Sequence, residues 1–142
     1  MLVLLAALVA QASPVVTGTS CAGGLITAPA GTRCPFLLFF DSAEAELSRD
    51  SAATLEQILP TYRDGGFHRI ALVAHSDRSG PSSANLRIAR LRAEAVKSWL
   101  IERGASPAII TVRAVGEAQP IIATADGVRE PQNRRVEVWL ER

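Results

Sequence analysis

The chain has 142 residues, 48% of them hydrophobic and 20% charged, with a formal net charge of +1 at pH 7. That length suits one ordinary domain plus extensions, with enough apolar residues to bury a core. The near-neutral balance gives no electrostatic reason to expect nucleic acid or anionic lipid as a partner.

Residues 2–10, LVLLAALVA, form an apolar run too short to span a bilayer but long enough for the core of a signal peptide. Ala10-Gln11-Ala12 then supplies small residues, so 1–12 reads as a signal peptide cleaved before Ser13, although no Lys or Arg precedes the apolar core. Export governs the reading of the only two cysteines, Cys21 and Cys34. In an oxidising compartment two thiols usually pair. A disulfide closing that loop contributes about 3 kcal/mol in the chain-entropy model. The competing reading makes Cys21 a lipidated N-terminus, but Thr17-Gly18-Thr19-Ser20 before it lacks the leucine that such a cleavage box resembles. Residues 13–34, rich in Gly, Thr, Ala and Pro, read as an exported linker carrying the disulfide.

Order is expected from Pro35, with 35–142 as the domain. Phe36-Leu37-Leu38-Phe39-Phe40 is a short apolar run, as in a strand buried on both faces. Leu47, Leu55, Ile58, Leu59 and Tyr62 recur at helical spacing until Asp64-Gly65-Gly66 stops them. Arg69 to Ala74 makes a second strand, and a second helix runs from about Pro81 to Arg103, ended by Gly104 and Pro107. Ile109 to Val115 is a third strand. Val136 to Leu140 alternates and makes a fourth with one wet face. Residues 116–135 form a long polar connection, of the kind that is usually functional or mobile. The order strand, helix, strand, helix, strand, strand argues for an α/β (α+β) sandwich, one mixed four-stranded sheet with helices packed on it.

One residue of the second helix is chemically out of place. At 100° per residue, Ala84, Ile88, Ala89, Ala93, Ala95, Val96, Trp99 and Leu100 share one broad arc, and Arg92 lies near its middle. Asn85 lies on the same line two turns earlier, while Arg87, Arg90, Glu94 and Lys97 take the solvated side. A buried guanidinium without an anion costs several kcal/mol. The anion expected here is Asp77, which ends the apolar run IALVAHSD at the turn feeding the helix. An acid at a strand's carboxyl end, helical N–H groups and an inward cation make a site for a zwitterion. Asp77 takes the ammonium; Arg92 and the amides of the first helical turn take the carboxylate. In the competing reading Asp77 and Arg92 pair only with each other and staple helix to sheet.

Asp77, then Ile88-Ala89, Arg92-Ala93, Val96 and Leu100 at their spacings resemble the signature of the OmpA-like peptidoglycan-binding domain family. Phe39-Phe40-Asp41-Ser42, Gly80, Asn85, Gly116-Glu117-Ala118-Gln119-Pro120 and Asn133-Arg134-Arg135-Val136 extend the resemblance over residues 36–140. It implies a β-α-β-α-β-β sandwich in the periplasm, associated with cell wall or outer membrane, that binds the peptide stem of peptidoglycan through meso-diaminopimelate without cutting it. Carried over by position, Asp77 engages the ligand's ammonium, Arg92 its carboxylate, and Asn85 the same head group. Asp41 and Arg134 complete the rim, and Ser76 stands where the family commonly has threonine. Ala74 replaces a common glycine and Ile88-Ala89 the usual Leu-Ser pair, departures that bear on turn geometry and affinity. About twenty residues separate the expected cleavage site from the domain, so a free-standing binder without a barrel is expected, with a further envelope protein as a conceivable partner.

Other chemistries fit poorly. His75-Ser76-Asp77 is no triad, because neighbouring residues of an extended chain point to opposite faces. Two histidines of unrelated placement and two cysteines expected to pair make no metal site, and no cofactor motif is present. The reading is therefore a non-enzymatic binder. Its competitor is a periplasmic structural or protein-interaction module in which the Asp77 and Arg92 pair serves only the fold.

Overall fold

The structure is a computed structural model that describes residues 19–22, 26–29 and 32–142. The expected signal segment lies outside the described residues. Strands β1 (Thr19–Cys21) and β2 (Ile26–Ala28) pair antiparallel, followed by β3 (Phe36–Phe39), α1 (Arg49–Asp64), β4 (Arg69–His75), α2 (Ser82–Glu102), β5 (Ile110–Gly116) and β6 (Arg135–Glu141). From β3 onward the order is the expected β-α-β-α-β-β.

The main sheet runs β3-β6-β4-β5, with β4 and β5 parallel and the other pairs antiparallel. The parallel pair demands a crossover, and α2 supplies it. Alternate sheet residues Leu38, Ile70, Leu72, Ala74, Val136, Val138 and Leu140 pack with Leu55 and Ile58 of α1 and with Ala93, Val96 and Leu100 of α2 in one buried cluster. Both helices thus lie on one face of the sheet. Ser48 caps α1 by accepting from the Ser51 amide at 3.1 Å. At the end of β5, Gly116 takes a φ of +58°, and a Cβ there would lie 3.2 Å from the Leu86 Cα. The sheet and α2 approach closely at that end because the side chain is missing.

Three expectations need correcting. β3 is the edge strand, not one buried on both faces, and its Phe39 is 44% exposed. An apolar run there serves one face in the core and one face in a surface cleft. β6 has no wet face, because it lies between β3 and β4 with all its residues from Arg135 to Val138 buried. Its polar side chains cluster with His75 of β4 around one carboxylate: Arg135 Nη2 lies 2.6 Å from Glu137 Oε1, His75 Nε2 lies 3.2 Å from the same oxygen, and Trp139 Nε1 donates to Glu137 Oε2 at 3.0 Å, while His75 Nδ1 and Arg135 Nη1 have no partner among the described residues. The segment taken as a linker contributes a hairpin closed by the Cys21–Cys34 disulfide. Ile26 and Thr27 of this hairpin share a cavity with His75, Arg135 and Glu137, so it shelters the polar face of the sheet.

Burial alone would raise the Glu137 carboxyl, but contacts with His75 and Arg135 outweigh it and hold it at about 2 against an ordinary 4.5. Burial also lowers His75 below its ordinary 6.5, as does the neighbouring Arg135 cation, against the pull of Glu137. Both shifts have the same sign of consequence. The unfolded chain takes up its protons first, so stability is full above pH 6.5 and falls as His75 and then Glu137 protonate preferentially in the unfolded state. Urea unfolding should therefore show a continuous loss of stability from pH 6.5 downward, steepening below 4.5. Glu137→Gln should cost about 3 kcal/mol at neutral pH by stranding Arg135, and should remove the steeper lower limb. A stability profile in the variant parallel to the wild-type one would contradict the assignment.

Candidate functional site

The site forms where the carboxyl end of β4, the amino end of β6, the N-terminus of α2 and the turn after β3 converge. Arg92 is 1% exposed, the bulkiest of the fully buried side chains. Its geometry departs from expectation. Nε donates to the Glu44 carbonyl at 2.8 Å, Nη2 to the Asp41 carbonyl at 3.0 Å and Nη1 to the His75 carbonyl at 3.3 Å, and the guanidinium carbon lies 5.4 Å from the centroid of the Phe40 ring. Its hydrogen-bond partners are neutral. A guanidinium has five N–H donors, so one on each Nη is left over. The turn that presents two of these carbonyls is sharp: Glu44 N returns to the Asp41 oxygen, and Ala43 has a φ of +57°. That conformation costs a non-glycine residue about 1 kcal/mol. The hydrogen bonds to the buried cation offset it.

Asp77 pairs with Arg134 rather than with Arg92. Its Oδ2 lies 3.0 Å from Arg134 Nη1 and accepts from the Glu130 amide at 3.3 Å, while its Oδ1 accepts from both the amide and the hydroxyl of Ser79. Burial would raise this carboxyl, but the donors from Ser79, Arg134 and Glu130 outweigh it and leave it below the ordinary carboxylate range. Arg134 is anchored in turn by Nε donating to the Phe40 carbonyl at 3.0 Å. Arg92 is lowered to about 10, first by burial and then by the nearby Arg134 cation, with Asp77 pulling the other way. The expected direct Asp77 to Arg92 pair is therefore replaced by two adjacent units, one neutralised and one cationic. Sequence reasoning lacked the carbonyls, because any residue supplies one.

Asn85 is buried and oriented. Its Nδ2 donates to the Gly80 carbonyl at 3.3 Å and to Glu117 Oε2 at 2.8 Å, which leaves Oδ1 as an acceptor for a ligand. Ser76 is 2% exposed and its hydroxyl has no partner among the described residues. The N-cap residue of α2 is Pro81, which offers no side-chain cap, so the amides of the first turn are not covered from that side. Asp41 contributes its carbonyl, and it also lines a separate cleft of about 560 Å³ between β3 and α1. The cavity that joins the rest has a volume of about 420 Å³ and includes Ser76, Asp77, Asn85, Arg92 and Arg134 in its lining.

Several structural residues were not singled out from sequence. Asn133, fully buried, accepts the amides of Ile121 and Ile122 on Oδ1 at 2.9 and 3.0 Å and donates from Nδ2 to the Ile122 carbonyl at 2.8 Å. It thus fixes the long connection before β6 and holds Arg134 in register. Its place beside two arginines was the available signal. Glu117 stood within the Gly116-to-Pro120 element of the resemblance without an assigned role, and Ser79 carried no signal. Among the described residues no group of His, Cys, Asp and Glu is placed to hold a metal ion, and no helix is long and apolar enough to cross a membrane.

A β-α-β-α-β-β sandwich with a cationic cleft at the carboxyl end of β4 defines a class of small binding domains. A model of the OmpA family matches residues 39–134, and the chain belongs to that family. It is 31% identical over 101 residues to the probable lipoprotein YiaD of Escherichia coli, covering 71% of this chain and 46% of that one. It is 27% identical over 115 residues to the peptidoglycan-associated lipoprotein of Pseudomonas aeruginosa, covering 81% of this chain and 68% of the other. The crystal structure of the peptidoglycan-associated lipoprotein from Burkholderia pseudomallei superposes with a TM-score of 0.67 at 25% identity, covering 74% of this chain and 89% of that one. The chain matches about half or less of the first curated relatives, 46% of YiaD, 29% of an outer membrane protein of Gluconacetobacter diazotrophicus and 53% of outer membrane protein A of Bordetella avium.

Asn133→Ala should cost about 2 kcal/mol, because two buried amides and a carbonyl lose their partner. The denaturation midpoint checks this. An unchanged midpoint would show that the connection holds itself.

Proposed function

We propose that the domain binds peptidoglycan without cleaving it, through the meso-diaminopimelate of the stem peptide, and so associates with the cell wall in the periplasm. The observation that carries this reading is Arg92, a cation buried beside a cavity, bonded only to neutral carbonyls, with one N–H to spare on each terminal nitrogen. A carboxylate fits that vacancy in charge and in number of acceptors. Family membership and the likeness to proteins described as peptidoglycan-associated support the choice of ligand.

The free end of meso-diaminopimelate carries a carboxylate and an ammonium on one carbon. In this reading Arg92 and the first-turn amides of α2 take the carboxylate, while Asn85 Oδ1 and Asp77 take the ammonium. Four donors already occupy Asp77, so an ammonium must replace one of them. The Ser79 hydroxyl is the cheapest to release, since it turns to water without stranding a charge. The Ser76 hydroxyl stands free to bond the same head group. Arg134 serves by holding Asp77, and Asp41 by presenting its carbonyl to Arg92. The rival view, with Asp77 and Arg92 paired for the fold alone, has lost its central contact, because Asp77 pairs with Arg134.

Co-sedimentation with diaminopimelate-type cell wall tests the proposal. Removing one partner of a desolvated charged contact costs about 2 to 5 kcal/mol, so Asp77→Ala and Arg92→Leu should each weaken binding at least tenfold. Arg92→Leu should remain folded at reduced stability, since it removes the cost of a buried cation but leaves three carbonyls without their donor, and its circular dichroism is compared with that of wild type before pelleting. Ser79→Ala should bind as well as wild type or better. Undiminished pelleting of folded Arg92→Leu would refute the assignment.

A further inference from the structure

The cavity is more cationic than a zwitterion requires. Four arginines, Arg87, Arg92, Arg129 and Arg134, line it against the single carboxylate of Asp77. Asp77 neutralises Arg134, and a docked head group, itself neutral, engages Arg92. Arg87 and Arg129 are then left over, with no acid paired to either among the described residues. Exposed arginines without an acid recur among the described residues, Arg90 being one; what sets Arg87 and Arg129 apart is that both border this cavity.

The two surplus cations come from different elements that border the cavity. Arg87 belongs to the stripe of α2 that borders the cavity through Ala84, Ile88 and Leu91, although the wheel places it on the solvated side. Arg129 comes from the connection before β6, and the backbone there is pinned to the site. The Glu130 amide donates to Asp77 Oδ2 at 3.3 Å, and the Gly127 amide to the Arg78 carbonyl at 2.7 Å. Both side chains are exposed at the mouth rather than buried at the floor.

We propose that Arg87 and Arg129 form a second anion subsite that reads an additional carboxylate of the stem peptide, one residue away from the head group held by Arg92. This rests on the peptidoglycan reading above. In a stem built on diaminopimelate the preceding residue is a glutamate linked through its side-chain carboxyl, so its α-carboxylate is free unless amidated. Two bidentate donors bordering the mouth suit that planar group. The domain would thereby distinguish acidic stems from stems amidated at this position, independently of the head-group contacts.

Isothermal titration with two synthetic tripeptides tests it: L-Ala-γ-D-Glu-meso-diaminopimelate and its counterpart with isoglutamine at the middle position. Wild type should prefer the acid by about fivefold, the upper scale of a charged contact at an exposed site. The double variant Arg87→Gln/Arg129→Gln, with both changes at exposed positions, should bind the amidated peptide as wild type does and lose the preference. Equal wild-type affinity for the two peptides, or a preference that survives in the double variant, would overturn the second subsite while leaving head-group binding intact. Failure of wild type to bind either peptide would overturn the peptidoglycan reading, and this inference with it.

Discussion

A buried guanidinium held by three backbone carbonyls is the constraint around which this domain is arranged. Arg92 brings its charge into the interior, yet the carbonyls of Asp41, Glu44 and His75 supply only dipoles. Each contact ties a different part of the chain to α2: the turn after β3 twice, and the end of β4 once. The left-handed Ala43, the sharp return from Glu44 to Asp41 and the close approach permitted by Gly116 all serve that convergence. Hydrogen bonds to a charged group stabilise by about 1.5 to 3 kcal/mol each, enough together to offset the desolvation of the cation without cancelling its charge. What remains is a fixed positive centre facing a cavity.

The acid nearby does not quench it, because Arg134 has already done so for Asp77. This division of labour gives the site its character. Asp77, Arg134 and the amides around them form a satisfied, rigid wall; Arg92, Asn85 Oδ1 and the Ser76 hydroxyl retain unused bonding capacity. A second polar cluster on the opposite face of the sheet is built differently. There His75, Arg135 and Trp139 gather around the Glu137 carboxylate under the hairpin and leave the structure sensitive to acid. His75 joins the two, since its carbonyl serves Arg92 and its ring faces Glu137.

Much of this was legible in the residues. The order of elements followed from periodicity, and the helical wheel located Arg92 as an inward cation with Asn85 on its line. The Asn133-Arg134-Arg135 element marked where the last strand enters the site. Four things were beyond reach for stated physical reasons. Sheet order is a long-range property, so nothing local in Phe36–Phe39 distinguished an edge strand from a central one, nor in Arg135–Glu141 a sheltered face from a wet one. Backbone carbonyls carry no sequence label, so Arg92 was given the nearest acid as a partner. Arg134 stands far along the chain from Asp77, and spacing alone could not set it ahead of Arg92 as the counter-ion. The pairing of β1 with β2 was hidden by a composition typical of linkers.

The central claim is that Arg92 keeps free donors for a carboxylate, and the guanidinium resonances report on it directly. Nitrogen-15 NMR of the Arg92 Nε and Nη groups, followed while free meso-diaminopimelate is titrated in, should show shifted Nη signals with slowed rotation, and a nearly unchanged Nε that stays on the Glu44 carbonyl. Saturable binding seen elsewhere in the spectrum with the Arg92 Nη signals unmoved would contradict the account.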